Sequence, residues 1–186
     1  MTSSATVEGS ERLRLFCALT LPEPVLDAIV DWQERELSVS GDARIVPRGN
    51  LHVTVAFLGS RQAADAGPIA AALGAAAAAC GQVRLVPRRY RETRSVGMVV
   101  LDDADGHAGR FALDLFDRLE RLGVYERERR AWLPHLTVLR FRRPPRLRPP
   151  LPDLGPVSPS GAAVYHSLLR PGGAQYEALE SFALGG

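Results

Sequence analysis

No lysine occurs in this chain. All 23 of its basic residues are arginine. Schiff-base chemistry, a lysine nucleophile and the lysine of a phosphate-binding P-loop are therefore excluded, as is covalent adenylation of a lysine, the usual opening of ATP-driven ligation. Cysteine is nearly absent too. Cys17 and Cys80 both lie in apolar stretches, which reads as two free, buried thiols in a reducing compartment and excludes a disulfide framework. No apolar run approaches the ~20 residues of a membrane helix, and the opening residues lack the basic-then-apolar order of a signal peptide. We expect a cytoplasmic protein with no membrane contact, a disordered head over residues 1–11, and one domain over 12–186. Net charge is only +2, so the whole molecule is no electrostatic magnet for nucleic acid. Histidine is scarce: four residues, at 52, 107, 135 and 166.

What is present is an ordinary globular balance, 46% hydrophobic and 24% charged, sufficient for a core without metals. Leu13–Thr20 has the length and composition of a strand, and Pro22 opens a helix with Val25, Leu26, Ile29, Val30 and Leu37 on one stripe. Strands are expected over Asp42–Val46 and Leu51–Leu58, and an alanine-rich helix over Ile69–Cys80. The second half repeats the order. It has strands at Val83–Val86 and Val96–Leu101 with an arginine-rich connection between them, a helix over Gly109–Leu122, and a strand over Leu136–Phe141. A proline–arginine segment, 142–152, reads as an irregular loop whose arginines are solvated. Ala162–Leu169 and Tyr176–Leu184 close the chain around a Pro171-Gly172-Gly173 turn. The repeated order predicts an α+β fold of two similar lobes.

Two of the four histidines open the same triplet, His52-Val53-Thr54 and His135-Leu136-Thr137, 83 positions apart (135 − 52). In a strand side chains alternate. Leu51, Val53, Val55 and Phe57 are assigned to the core face, and His52, Thr54 and Ala56 to the other. Leu136 and Val138 likewise point inward, His135 and Thr137 outward. One such triplet is a weak signal, but two at matching places in two halves suggest imidazole–hydroxyl couples facing each other across a groove. Two imidazoles with ordinary pKa values near 6.5 can hold opposite protonation states near neutrality, one as base and one as acid. Two threonine hydroxyls can donate to non-bridging phosphate oxygens. A strained cyclic phosphate needs no metal for this chemistry, so neither metal nor cofactor is expected.

At these residues the chain resembles the 2H phosphoesterases and, within them, the bacterial RNA 2′,3′-cyclic phosphodiesterase family, also called 2′-5′ RNA ligase or LigT-like. The resemblance rests on Arg14-Leu15-Phe16-Cys17-Ala18-Leu19, on Asn50-Leu51-His52-Val53-Thr54-Val55-Ala56-Phe57-Leu58-Gly59, on Trp132-Leu133-Pro134-His135-Leu136-Thr137-Val138-Leu139-Arg140, and on Tyr176, Leu179 and Phe182. It implies a bilobal fold of two pseudo-twofold related antiparallel-sheet lobes, with outer helices and a central cleft. It implies metal-independent hydrolysis of an RNA 2′,3′-cyclic phosphate end to a 2′-phosphate, with His52 as acid, His135 as base, and Thr54 and Thr137 binding the phosphate. It also implies the reverse, an ATP-independent 2′-5′ ligation with a 5′ hydroxyl as nucleophile. The partner is then an RNA end, and a monomer is expected. Arg130 and Arg140 are further candidates for holding substrate, and Tyr90 and Trp132 for stacking on a terminal base. Arg48, Arg61, Arg91 and Arg94 are weaker candidates for the cleft. His107 and His166 lack a paired threonine and read as structural, and Asp103 to Gly106 reads as a helix-capping turn rather than a calcium loop. Two other readings use the same residues: a phosphodiesterase for 2′-5′ oligonucleotides or small cyclic nucleotides, and a non-catalytic RNA-end binding module.

Overall fold

The computed structural model describes residues 11–37, 41–171 and 173–185. The expected disordered head lies outside these, apart from Glu11, whose carbonyl accepts the Ala63 N–H. Strand β1 (Arg12–Thr20) leads through Pro22 into α1 (Glu23–Glu36). Proline suits that entry because a first-turn N–H has no helical partner. Short β2 (Arg44–Ile45) and a 3₁₀ turn at Arg48–Asn50 precede β3 (Val53–Gln62) and α2 (Ala66–Ala78). Then come β4 (Leu85–Glu92), β5 (Val96–Asp103), α3 (His107–Arg121), β6 (His135–Arg140), β7 (Gly161–Arg170) and β8 (Gly173–Phe182). The arginine-rich stretch expected to connect two strands is itself most of β4, which pairs with β5 from Leu85↔Asp103 to Glu92↔Gly97. Arginine tolerates an edge strand because its charged head reaches water past the sheet.

The strands form one curled antiparallel sheet in the order β4-β5-β6-β3-β1-β7-β8, with β2 also on β6. The two expected lobes are thus joined, and their β3–β6 ladder is a single pair, Val53↔Leu136. The closing strands belong to the first lobe, because β7 pairs with β1. One apolar cluster fills the face opposite the two histidines and runs from Leu15, Leu19, Val53 and Leu136 to Ile69, Leu73, Phe111 and Leu115 of α2 and α3. Alanines in α2 allow a close approach, and Gly74 leaves room for the Phe182 ring. Cys17 and Cys80 are free and buried. Asp103 accepts the Ala108 and Gly109 N–H groups at 3.2 and 2.7 Å, so it does cap α3.

The local twofold is precise enough to follow residue by residue. Leu19 pairs Val53 as Val99 pairs Leu136, and Ala18 pairs Thr54 as Met98 pairs Thr137. Cys17 pairs Ala56 as Gly97 pairs Leu139, and Phe16 pairs Phe57 as Val96 pairs Arg140. Both ladders skip one residue at the equivalent place, Val55 in β3 and Val138 in β6. A bulge of this kind turns the following side chains over. Residues 53–58 and 136–141 therefore share one burial pattern: buried, half-buried, buried, buried, exposed, buried. The face assignment made from strict alternation consequently fails beyond Val55. Ala56 joins the core, and Phe57, 52% exposed, stands on the histidine face. Among the described residues no helix is long and apolar enough to cross a membrane.

Candidate active site

The twofold passes through the Val53↔Leu136 pair. In antiparallel register this sets His52 opposite Thr137 and Thr54 opposite His135, all on one face. Residues diagonal across such a pair lie about 7–8 Å apart, so the two imidazoles flank a space of phosphate size.

Each ring is fixed in the same way. His52 Nδ1 lies 2.8 Å from the Asn50 carbonyl, and His135 Nδ1 lies 2.8 Å from the Leu133 carbonyl, in each case the residue two before. A carbonyl can only accept, so each Nδ1 carries the proton and donates it. Each Nε2 is thereby left without the ring's proton. The Thr54 hydroxyl sits 3.0 Å from His52 Nε2 and donates to it while that nitrogen is bare. Trp132 Nε1 donates to the Thr54 carbonyl at 3.0 Å, tying the approach to β6 onto β3. Asn50 Nδ2 donates to the Ala174 carbonyl at 2.7 Å and holds the start of β8 against the site.

The surroundings of the two rings differ. Phe16, Tyr165 and Tyr176 close around His52, with ring centroids 4.9, 6.0 and 5.3 Å away. Burial in this box pushes the His52 pKa down to about 4, and the nearby positive charges of Arg140 and His135 push the same way, against the opposing effect of the Asn50 carbonyl. His52 is therefore neutral at neutral pH in the free protein. His135 has no such box among the described aromatic pairs.

A cavity of about 980 Å³ opens on this face and takes in His52, Thr54, Thr137, Phe57, Arg140 and Tyr176. His135 stands on the neighbouring strand and is not among its lining residues. Of the other candidates, Arg140 lines the cavity. Arg130 is on the surface, paired with Glu128 at 2.9 Å, and Tyr90 is two strands away, its hydroxyl donating to Glu92 at 3.2 Å. Trp132 packs against the core as well as clamping β3. Arg48 is engaged by Glu23 and Asp27 of α1, and Arg61, Arg91 and Arg94 do not line the cavity. Arg142, read from sequence as part of a solvated loop, does line it.

The sequence reading missed Phe16, Phe57, Arg14 and Arg44 as site residues. Alternation along β1 puts Arg14, Phe16, Ala18 and Thr20 on one face, so Arg14 and Phe16 were readable. Phe57 was not, because nothing in the residues announces the bulge. Among the described residues no cluster of three or more His, Cys, Asp or Glu could hold a metal.

No family model matches the chain. It is 34% identical to the RNA 2′,3′-cyclic phosphodiesterase of Thermus thermophilus, over 94% of this chain and 91% of that protein. A crystal structure of a Thermus thermophilus protein superposes with a TM-score of 0.77 at 30% identity, covering 94% of this chain and 99% of the other. Escherichia coli LigT complexed with 3′-AMP shares the fold, with a TM-score of 0.79 at 23% identity and coverage of 95% and 100%. With the paired His-x-Thr strands already in place, a match of this extent settles the family: the chain belongs to the RNA 2′,3′-cyclic phosphodiesterases, of the LigT-like 2H phosphoesterase fold.

Proposed function

We propose that the protein hydrolyses the 2′,3′-cyclic phosphate at an RNA end to a 2′-phosphate without a metal, using His52 as acid and His135 as base. The observation that carries this is the twofold constellation itself: two imidazoles with identical backbone anchors, set diagonally across the Val53↔Leu136 pair with Thr54 and Thr137 on the same two strands. His135 Nε2 takes a proton from water as its oxygen bonds to phosphorus. The P–O3′ bond breaks, and O3′ takes the proton on His52 Nε2. The products are a 2′-phosphate and a free 3′ hydroxyl.

Position supports this assignment of roles. The leaving O3′ stays on the ribose, and the cavity that can hold a nucleoside lies on the His52 side. His135, outside that cavity, is left to the incoming water. His52 must be protonated to act as acid, although alone it gains a proton only near pH 4. An entering phosphate anion raises that affinity, since an opposite charge favours the imidazolium. Protonation of Nε2 also releases the Thr54 hydroxyl, which then donates to a phosphate oxygen as Thr137 does from the opposite strand. Arg140 adds a fixed positive charge that can fork onto the phosphate. Phe57 offers an exposed ring on the same face for the terminal base. The reverse reaction, attack of a 5′ hydroxyl on the cyclic phosphate, uses the same groups and yields a 2′-5′ linkage without ATP.

The test is an RNA ending in a 2′,3′-cyclic phosphate, incubated with protein and excess chelator, with the position of the product phosphate identified. Wild type is expected to give the 2′-phosphate. His52→Ala and His135→Ala each lose about 10²–10⁴-fold in rate, the usual contribution of one acid or base. No turnover by wild type, or full turnover by either variant, would remove the reading.

A further inference from the structure

Beyond the reacting phosphate, the cavity carries more positive charge than one phosphate needs. Four of its lining residues are arginine, Arg14, Arg44, Arg140 and Arg142, and one is acidic, Asp42. The Asp42 carboxylate already accepts the Arg142 backbone N–H at 3.0 Å. None of the four guanidiniums takes part in an ion pair among the described residues. Arg14 lies 5.1 Å above the Phe57 ring, which leaves the other three on β2, β6 and the residues just after β6. Arg44 and Arg140 are direct ladder partners, so their side chains stand on the same face about 5 Å apart at the β-carbon. Like charges set directly opposite each other destabilise a sheet. An arrangement with that cost is explained by an anion that occupies it. Arg140 is near enough to His52 to lower its pKa; Arg44 and Arg142 extend the charge away from the histidines.

We propose that Arg44 and Arg142 form a second anion subsite, which binds the internucleotide phosphate upstream of the reacting end. The substrate would then be an oligonucleotide end rather than a cyclic mononucleotide. This deepens the proposed hydrolysis and rests on it for the position of the first phosphate. Size agrees: about 980 Å³ is at the top of the range of about 300–1,000 Å³ for pockets enclosing a drug-sized ligand, leaving room beyond one nucleotide.

The experiment compares cytidine 2′,3′-cyclic phosphate, which has no upstream phosphate, with CpC ending in a 2′,3′-cyclic phosphate. A third substrate is the same dinucleotide with a neutral methylphosphonate linkage. Wild type is expected to favour the charged dinucleotide by roughly tenfold or more in kcat/KM, mainly through KM, and to treat the methylphosphonate like the mononucleotide. In the Arg44→Gln/Arg142→Gln double variant that preference collapses, and the log–log slope of dinucleotide affinity against salt shrinks by about 0.7, as one phosphate is no longer neutralised. The melting temperature is expected to hold or rise, because Arg44→Gln removes a like-charge pair, so the loss is not one of folding. Equal losses on all three substrates, a preference that survives in the double variant, or no preference in wild type would each overturn the subsite. Binding of the products, cytidine 2′-phosphate against CpC 2′-phosphate, is measured alongside. If wild type turns over nothing, the hydrolytic reading fails. The subsite then stands or falls on whether wild type binds the dinucleotide more tightly and the double variant does not.

Discussion

The aromatic box around His52 should be measurable as a pH-dependent cost of folding. In the unfolded chain this imidazole takes a proton near 6.5; in the folded protein it does so only near 4. Between those values the unfolded state binds the extra proton, so this residue's effect on stability is neutral at pH 7 and grows unfavourable as pH falls from 6.5 to 4. The whole shift is about 2.5 pH units, at ~1.36 kcal/mol each, or roughly 3 kcal/mol. By pH 4.5 roughly 2 kcal/mol of it should be felt. Carboxylates also titrate in this window, so the useful quantity is the difference between wild type and His52→Gln, which keeps the polar character without the charge. Urea unfolding at pH 7, 5.5 and 4.5 should show wild type losing about 2 kcal/mol more than the variant over that span. An NMR titration should place the His52 ring near 4. Parallel stability profiles, or a ring that titrates near 6.5, would refute the box as a desolvating environment and, with it, the account of how His52 differs from His135.

Phe57→Ala should cost under about 1 kcal/mol in urea unfolding, far less than the ~3–5 kcal/mol of a core phenylalanine, because its ring is 52% exposed, while kcat/KM on an RNA end falls roughly tenfold. Buried Gln33 of α1 donates to the Val46 and Val138 carbonyls at 3.1 and 2.9 Å; Gln33→Met should remove both bonds, leaving Val138 O only the Val46 N–H at 3.0 Å, at a cost of about 1–3 kcal/mol and, because Val138 is the bulge residue, lower kcat more than it raises KM. The kcat/KM profile against pH should be a bell whose acid limb, near pH 4, is His52 in the free enzyme; a rate that climbs steadily with alkalinity would contradict the paired acid and base.

Much of this site is legible in the residues alone. The two triplets, their 83-residue offset and the inward-facing Val53, Leu136 and Val138 follow from strand alternation, and the ladder pairs place them accordingly. Two kinds of information are not in the pattern. The first is the bulge at Val55 and Val138, which depends on register between strands and not on any residue's own preference; it moves Phe57 out of the core. The second is sheet order. Chain order puts the closing strands in the second half, whereas β7 joins β1, because the free edge of the first lobe accepts it. Tyr90 and Arg130 lie outside the cavity: sheet order sets Tyr90 on β4, two strands from β6, and Arg130 is on the surface beside Glu128.

Sheet order also explains why the two histidines of a symmetric pair of strands stand in different surroundings. The twofold by itself would give two equivalent imidazoles, and equivalent groups cannot divide the work of acid and base except by chance protonation. Beside β1 the first lobe carries the β7–β8 hairpin, of which β8 has no counterpart in the other lobe. The hairpin brings Tyr165 and Tyr176 over His52, while the corresponding place beside β5 is taken by β4, whose Tyr90 turns instead to Glu92. Burial behind this wall is the largest cause of the low His52 pKa, with the Arg140 and His135 charges pushing the same way: the boxed histidine resists charge until an anion arrives. Replacing Tyr176 by leucine, which keeps the bulk but not the ring, should leave His52 buried and its pKa low. Tyr176→Ser, which opens the box to water, should raise it towards 6.5 without touching the Asn50 anchor, and the acid limb of the rate profile should move up with it. An acid limb that stays put in the serine variant would mean that something other than this aromatic wall sets the two histidines apart.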